Sequence, residues 1–298
     1  MSEKLIFGTS ENINFELLAK IYSKSLIFHT SYDYDGYNNL KEFLISKSKF
    51  QIIFKVKYEN LEDLKNLIRK YKNDFKSEKI YAIQISRNPN FFDNLEVIKY
   101  LEIQKKNNFI SKIYLELYWN YSGVIKNKIK NSIIDGYVFC YNPIEREVSN
   151  SVLKEIKINN KEIISLRSFS GFKLDKENKT FYHISYLKFY LIKNYILILK
   201  KIIMSNYLSI CLVFIKLGSI NYSVFSTTKK NNFEEIINTY EKITYSDKNN
   251  ILLKIINIFH KIFWIFGGTN SSSSIKITTS MYYRIERKVL KFLKITKK

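Results

Sequence analysis

At 298 residues and 46% hydrophobic content, the chain holds enough apolar material for one large core or two modest ones. Its two cysteines, Cys140 and Cys211, each lie in an apolar run, which excludes a disulfide framework and points to buried thiols in a reducing compartment. A formal charge of +22 would suit nucleic acid or an anionic membrane, but lysines scattered along the whole chain read as solvated helix faces, and no nucleic-acid partner is expected.

Met1–Lys4 leads directly into a strand-like run, Leu5–Gly8, without a signal-peptide pattern, and a cytoplasmic location is expected. From there, short apolar runs alternate with longer amphipathic stretches. Phe15–Tyr22 reads as a helix, Ser25–His29 and Gln51–Lys57 as strands, and Leu61–Phe75 as a helix. Leu61, Leu64, Ile68 and Tyr71 keep the i, i+3, i+4 rhythm of one buried helix face. Strand Ile80–Ile85, helix Asn94–Lys106 and strands Lys112–Tyr118 and Ile134–Cys140 follow. Helix Asn150–Lys157, strand Ile163–Arg167, helix Tyr186–Met204, strand Tyr222–Phe225 and helix Asn232–Ile243 complete the series. The most apolar stretch, Ile202–Ile215, carries Ser205, Asn206 and Ser209 and falls short of the roughly 20 residues a bilayer span needs.

Eight strands, each followed by a helical segment, predict a parallel sheet with right-handed crossovers, and eight is the number that closes a barrel. A doubly wound sheet is the alternative, but no strand leads into a G-x-G-x-x-G turn. The expected fold class is α/β, a (β/α)8 barrel over residues 1–247 with a C-terminal helical extension over 248–298. In that extension Ile251–Phe266 is an apolar helix whose Asn250, Lys254, Asn257 and Lys261 fall on one stripe. Gly267–Ser274 is a flexible linker, and Ile275–Lys298 is a basic tail. The apolar helix either packs over the barrel or, with the basic tail, meets an anionic membrane surface, and the tail is otherwise a contact for another protein.

The order of segments from about Leu5 to Ile243 resembles the aldo/keto reductases, with the nearest likeness among members encoded with bacterial surface-polysaccharide genes. His29-Thr30-Ser31-Tyr32-Asp33-Tyr34-Asp35-Gly36 is similar to that family's Asp-Thr-Ala/Ser…Tyr-Gly segment. The resemblance makes Tyr34 the general acid that protonates a carbonyl oxygen during hydride delivery, and puts His29 where the family has aspartate. Lys55, in Phe54-Lys55-Val56, matches the family lysine. A phenol with a reference pKa near 10 needs such a cation beside it to act near neutral pH. In the family an aspartate keeps the lysine charged, and His29 cannot supply that charge. Ser86 falls where the family has histidine.

The same resemblance implies NADP or NAD as cofactor and a small-molecule substrate, a sugar derivative among the candidates. Glu116 and Leu117 take the place of the Ser-Asn that grips the nicotinamide amide, and Asn142 is present while the family's glutamine four residues earlier reads Val138. Arg167-Ser168 is similar to a recurrent pair over the cofactor. Ser226-Thr227-Thr228-Lys229-Lys230 aligns with the adenosine-phosphate loop, with Thr228 at the arginine position and Ser226 at the opening glycine. The pattern is that of an oxidoreductase with a partly degenerate site, the alternative being a non-catalytic barrel that binds or scaffolds in surface-glycan assembly.

Read from the residues alone, a lysine centred in the apolar run Ile52–Val56 is unusual without a partner or a task. Glu116, inside the apolar strand Ile113–Tyr118, is costly to bury unpaired; it pairs with Lys55 or another cation, or points between the barrel and helix layers. His29 is either a replacement acid/base or a structural histidine. Three dispersed histidines give no metal site, and no Gly-x-Ser-x-Gly elbow or Walker-type loop occurs.

Overall fold

The apolar runs are four to seven residues long and rich in Ile, Val, Phe and Tyr, the length and composition of strands buried on both faces. In the computed structural model they form a closed parallel barrel in which each strand pairs with its sequence neighbours and the last with the first. The residues described are 4–88, 90–117, 126–130, 132–143, 148, 150–169, 207–244, 251, 253–255 and 257. The expected helix Tyr186–Met204, the linker and the basic tail lie outside them.

The chain runs β1 (Leu5–Gly8), α1 (Phe15–Ser23), β2 (Ile27–Ser31), α2 (Tyr37–Leu44), β3 (Ile52–Val56), α3 (Leu61–Phe75) and β4 (Ile80–Ile85). It continues with a 3-10 turn at Phe91–Asp93, α4 (Leu95–Lys106), β5 (Ile110–Glu116), a second 3-10 turn at Lys126–Lys128 and β6 (Gly136–Cys140). The second half closes with α5 (Asn150–Ile158), β7 (Glu162–Leu166), α6 (Tyr207–Leu217), β8 (Tyr222–Phe225) and α7 (Lys230–Lys242). Asparagines start three helices: the side chains of Asn14, Asn60 and Asn94 accept from the amides of Leu17, Asp63 and Val97.

Alternation along the strands separates two cores. Inside the barrel lie Ile6, Ile53, Ala82, Tyr114, Val138, Ile164 and Val224. Their neighbours in sequence, including Phe7, Phe54, Ile83, Leu115 and Phe139, face outward into the larger core beneath the helices. Helix α3 contributes Leu64, Ile68, Tyr71 and Phe75 to that layer, one continuous stripe at helical spacing. Helix α6 is buried almost all round, with Ile210 to Phe214 at 7% exposure or less. No helix among the described residues is long and apolar enough to cross a membrane.

Because the period of a strand is two, the inward residues one step beyond the inner core are already decided. They are His29 after Ile27, Lys55 after Ile53, Gln84 after Ala82, and Glu116 after Tyr114. Pairing of Ser31 with Lys55 and of Lys55 with Gln84 brings these strand ends level. The opposite end is closed by a charged plug: Lys112 Nζ sits 2.7 Å from Glu162, whose other oxygen accepts from the Tyr114 hydroxyl at 2.6 Å.

Candidate active site

Tyr34 stands in the turn between β2 and α2. Its amide donates to the Ser31 carbonyl at 3.0 Å, and its own carbonyl accepts from Tyr37 at 3.0 Å as α2 begins. Gly36 pins this turn to the β1–α1 connection, its amide donating to the Thr9 carbonyl. A β-carbon there would lie 2.4 Å from the Glu11 carbonyl oxygen and 2.8 Å from that of Thr9, so only glycine fits. The Thr9 hydroxyl in turn donates to Thr30 at 2.7 Å.

Lys55, on β3, points its Nζ at Glu116 Oε2 across 2.9 Å, and Arg87 Nε donates to Glu116 Oε1, also at 2.9 Å. The Gln84 amide donates to Glu116 Oε2 at 3.3 Å, while Gln84 Oε1 lies 2.8 Å from His29 Nε2. The order of donors follows. A carboxylate only accepts, so the NH2 of Gln84 faces Glu116, its oxygen faces His29, and His29 carries its proton on Nε2. One chain of contacts therefore runs from β2 through β4 and β5 to β3. The Lys55 charge lies near enough to the Tyr34 phenol to act on it.

Electrostatics sort the members. Burial drives the His29 imidazole down to about 4, against a smaller opposing pull from its Gln84 bond, so His29 is neutral at pH 7. Burial raises the Tyr34 phenol, and the nearby Lys55 charge offsets only part of that. Burial also acts to lower the Lys55 ammonium, but Glu116 and then Tyr34 outweigh it and the net direction is upward. The result is a neutral phenol near a firmly protonated lysine. The His29 and Tyr34 rings are 6.0 Å apart, tilted by 47°.

The remaining positions are distributed around the mouth. Ser86 comes directly after β4, its amide donating to the Val56 carbonyl. Leu117 is buried, its amide on the Val138 carbonyl. Asn142 donates its side-chain amide to the Arg167 carbonyl at 2.8 Å, and the Ser168 hydroxyl donates to the Val224 carbonyl at 2.8 Å. Arg167 leaves β7 in the left-handed region, φ 54°. Across β8, the Ser226 hydroxyl accepts from Ser10 at 3.3 Å and the Thr227 hydroxyl accepts from the Lys229 amide at 3.2 Å. Thr228 and Lys229 are exposed at the start of α7. Lys230 is engaged by Glu16.

Two members of the cluster, Gln84 and Arg87, were not singled out from the sequence. The signal for Gln84 was present. It is a polar residue in an apolar strand, on the same parity as the inner core, as are Lys55 and Glu116. Arg87 carried none, since an arginine just past a strand end is ordinarily solvent-facing.

No protein-family model matches the chain, and no curated protein matches it by sequence. Solved structures do match by shape. An aldo-keto reductase of Bacillus halodurans in its holo form superposes with a TM-score of 0.64 at 13% identity, covering 85% of this chain and 91% of that one. Its apo form gives 0.63 at 12%, over 81% and 85%. Aldose reductase of Giardia lamblia gives 0.59 at 12%, over 87% and 94%. The chain has the aldo/keto reductase fold.

Proposed function

We propose that the chain is a nicotinamide-dependent oxidoreductase that interconverts a carbonyl and a hydroxyl on a small molecule, with sugar derivatives the first substrates to try. The observation that carries this is the Glu116-paired Lys55 ammonium, with the Tyr34 phenol within reach of its charge, at the C-terminal mouth of the barrel, where barrel enzymes keep their chemistry. Tyr34 keeps its proton at neutral pH and holds it at Oη for a carbonyl oxygen seated above the mouth. The Lys55 ammonium then steadies the phenolate left behind. The neutral His29 serves as an orienting donor within the wall, which favours its structural reading over a replacement acid/base.

When bound, the nicotinamide would supply or take up the hydride. The residues fit such a group unevenly. At the phosphate end they suit it: Ser226, Thr227, Thr228 and Lys229 precede the N-terminus of α7, whose first turn carries no acidic residue. At the nicotinamide end Asn142 and Ser168 already bond to protein carbonyls, and Glu116 brings a carboxylate. That same engagement favours a second reading, a barrel that binds or scaffolds without redox chemistry.

Titration of the purified protein with NADPH and NADH, followed by nicotinamide fluorescence, separates the two. Binding weaker than micromolar, lowered further in Lys229→Ala, is expected. Submicromolar NADPH binding contradicts the uneven fit, and no binding of either nucleotide favours the scaffold.

A further inference from the structure

We infer that Glu116 is the positioning residue of this site: its carboxylate, delivered from β5, anchors the Lys55 ammonium where its charge reaches the Tyr34 phenol. Glu116 is only 4% exposed, and a carboxylate so enclosed stays charged only if its lone pairs are taken by cations and donors. They are taken by Lys55 and Arg87 at 2.9 Å each and by the Gln84 amide at 3.3 Å.

The geometry makes this more than a strut. Lysine is a point charge on a flexible stem, and its direction is set by what anchors it. The inward side chains of β2 are Ile27, His29 and Ser31, none of them anionic at neutral pH. Asp33 is exposed and acts on Tyr34 only through space. Among the described residues, Glu116 is the carboxylate that pairs with Lys55. The Gln84 amide, fixed in orientation by His29 Nε2–H, braces the carboxylate from β4, and Arg87 braces it from the β4 end. Lys55 is thus faced by Glu116 from β5, Tyr34 from the β2–α2 turn, Arg87 after β4 and the neutral His29 from β2. The catalytic meaning of the arrangement rests on the carbonyl chemistry proposed above, but the arrangement itself is testable without turnover.

The test is pH-dependent acylation of the folded chain with an amine-reactive ester, read at Lys55 by peptide mass spectrometry. In the wild type the reactivity midpoint of Lys55 is expected above the ordinary lysine value of 10.5. In Glu116→Gln, burial and Arg87 act against less opposition, and at pH 9 Lys55 should react faster by about ten-fold or more. Arg87→Gln, which removes a neighbouring cation and leaves the pair intact, should leave Lys55 no more reactive than in the wild type. An unchanged Lys55 in Glu116→Gln overturns the inference, as does an equal gain in both variants. Should Glu116→Gln fail to fold, the wild-type midpoint decides alone, and a value below 10.5 overturns it. A raised midpoint without carbonyl turnover leaves the positioning role standing and removes the reaction. Tyr34-dependent turnover with an unresponsive Lys55 does the reverse.

Discussion

His29 shows how a residue's chemistry is set by its enclosure. Folded, it holds a proton only near pH 4; unfolded, it titrates near 6.5. Its folded value is depressed, so the unfolded chain binds more protons between those limits and stability falls as pH drops through that window. The contribution lost is on the order of 3 kcal/mol by pH 4, levelling off below it. Denaturant melts at pH 7 and pH 4.5 should differ less in His29→Gln than in the wild type. An unchanged pH dependence in the variant would place the effect elsewhere. Tyr34 has the opposite character. Its raised value keeps the proton in place, so a reduction rate that depends on it should stay flat from pH 7 to 9 and decline only above the ordinary tyrosine value of 10.0.

At the scale of elements, this glycine-poor chain ends four of its helices without glycine. Ser25, Lys76, Asn108 and Asn160 take left-handed backbone, φ 48–57°, just past α1, α3, α4 and α5. For Lys76 that conformation is strained, and Lys76→Gly should stabilise the protein by about 0.5–1 kcal/mol in thermal or denaturant unfolding. The reverse holds at Gly136, where β6 meets β7. An added β-carbon would lie 2.8 Å from Glu162 Cβ and 2.9 Å from the Glu162 carbonyl oxygen. Gly136→Ala should therefore destabilise by about 1–3 kcal/mol, since backbone must move. These junctions also explain where the sequence was legible. All eight strands could be read from their apolar runs, yet β2 begins at Ile27 rather than Ser25, because Ser25 closes α1. Helix α2 escaped notice although Tyr37, Leu40 and Leu44 are spaced for it, because its start at Gly36 has no side-chain cap. Helix α6 has no polar face, so periodicity could not frame it. In the site, the inward lysine and carboxylate stood out by parity, but their pairing depends on strand register around the barrel, which no local pattern encodes.

For the whole molecule, the eight strands end at Phe225 and α7 ends at Lys242, which motivates a boundary near Asp247. A chain ended at Asp247 is expected to keep the barrel folded, and one ended at Gly268 to match it in solubility and melting. Aggregation of the shorter chain alone would instead assign Ile251–Phe266 to covering the barrel. Residues Ile251 and Ile255 are 56% and 36% exposed, which favours the first outcome. The central claim, that the mouth of this barrel performs nicotinamide-linked carbonyl chemistry through Tyr34, is tested most directly by NADPH and NADH oxidation against a panel of aldehydes, ketones and sugar carbonyls. Wild type and Tyr34→Phe are to be compared side by side at equal nucleotide occupancy. The expected result is slow turnover by the wild type that falls roughly 10²–10⁴-fold in Tyr34→Phe, with nucleotide binding unchanged. Oxidation of neither nucleotide with any carbonyl, or turnover that Tyr34→Phe leaves intact, would contradict it.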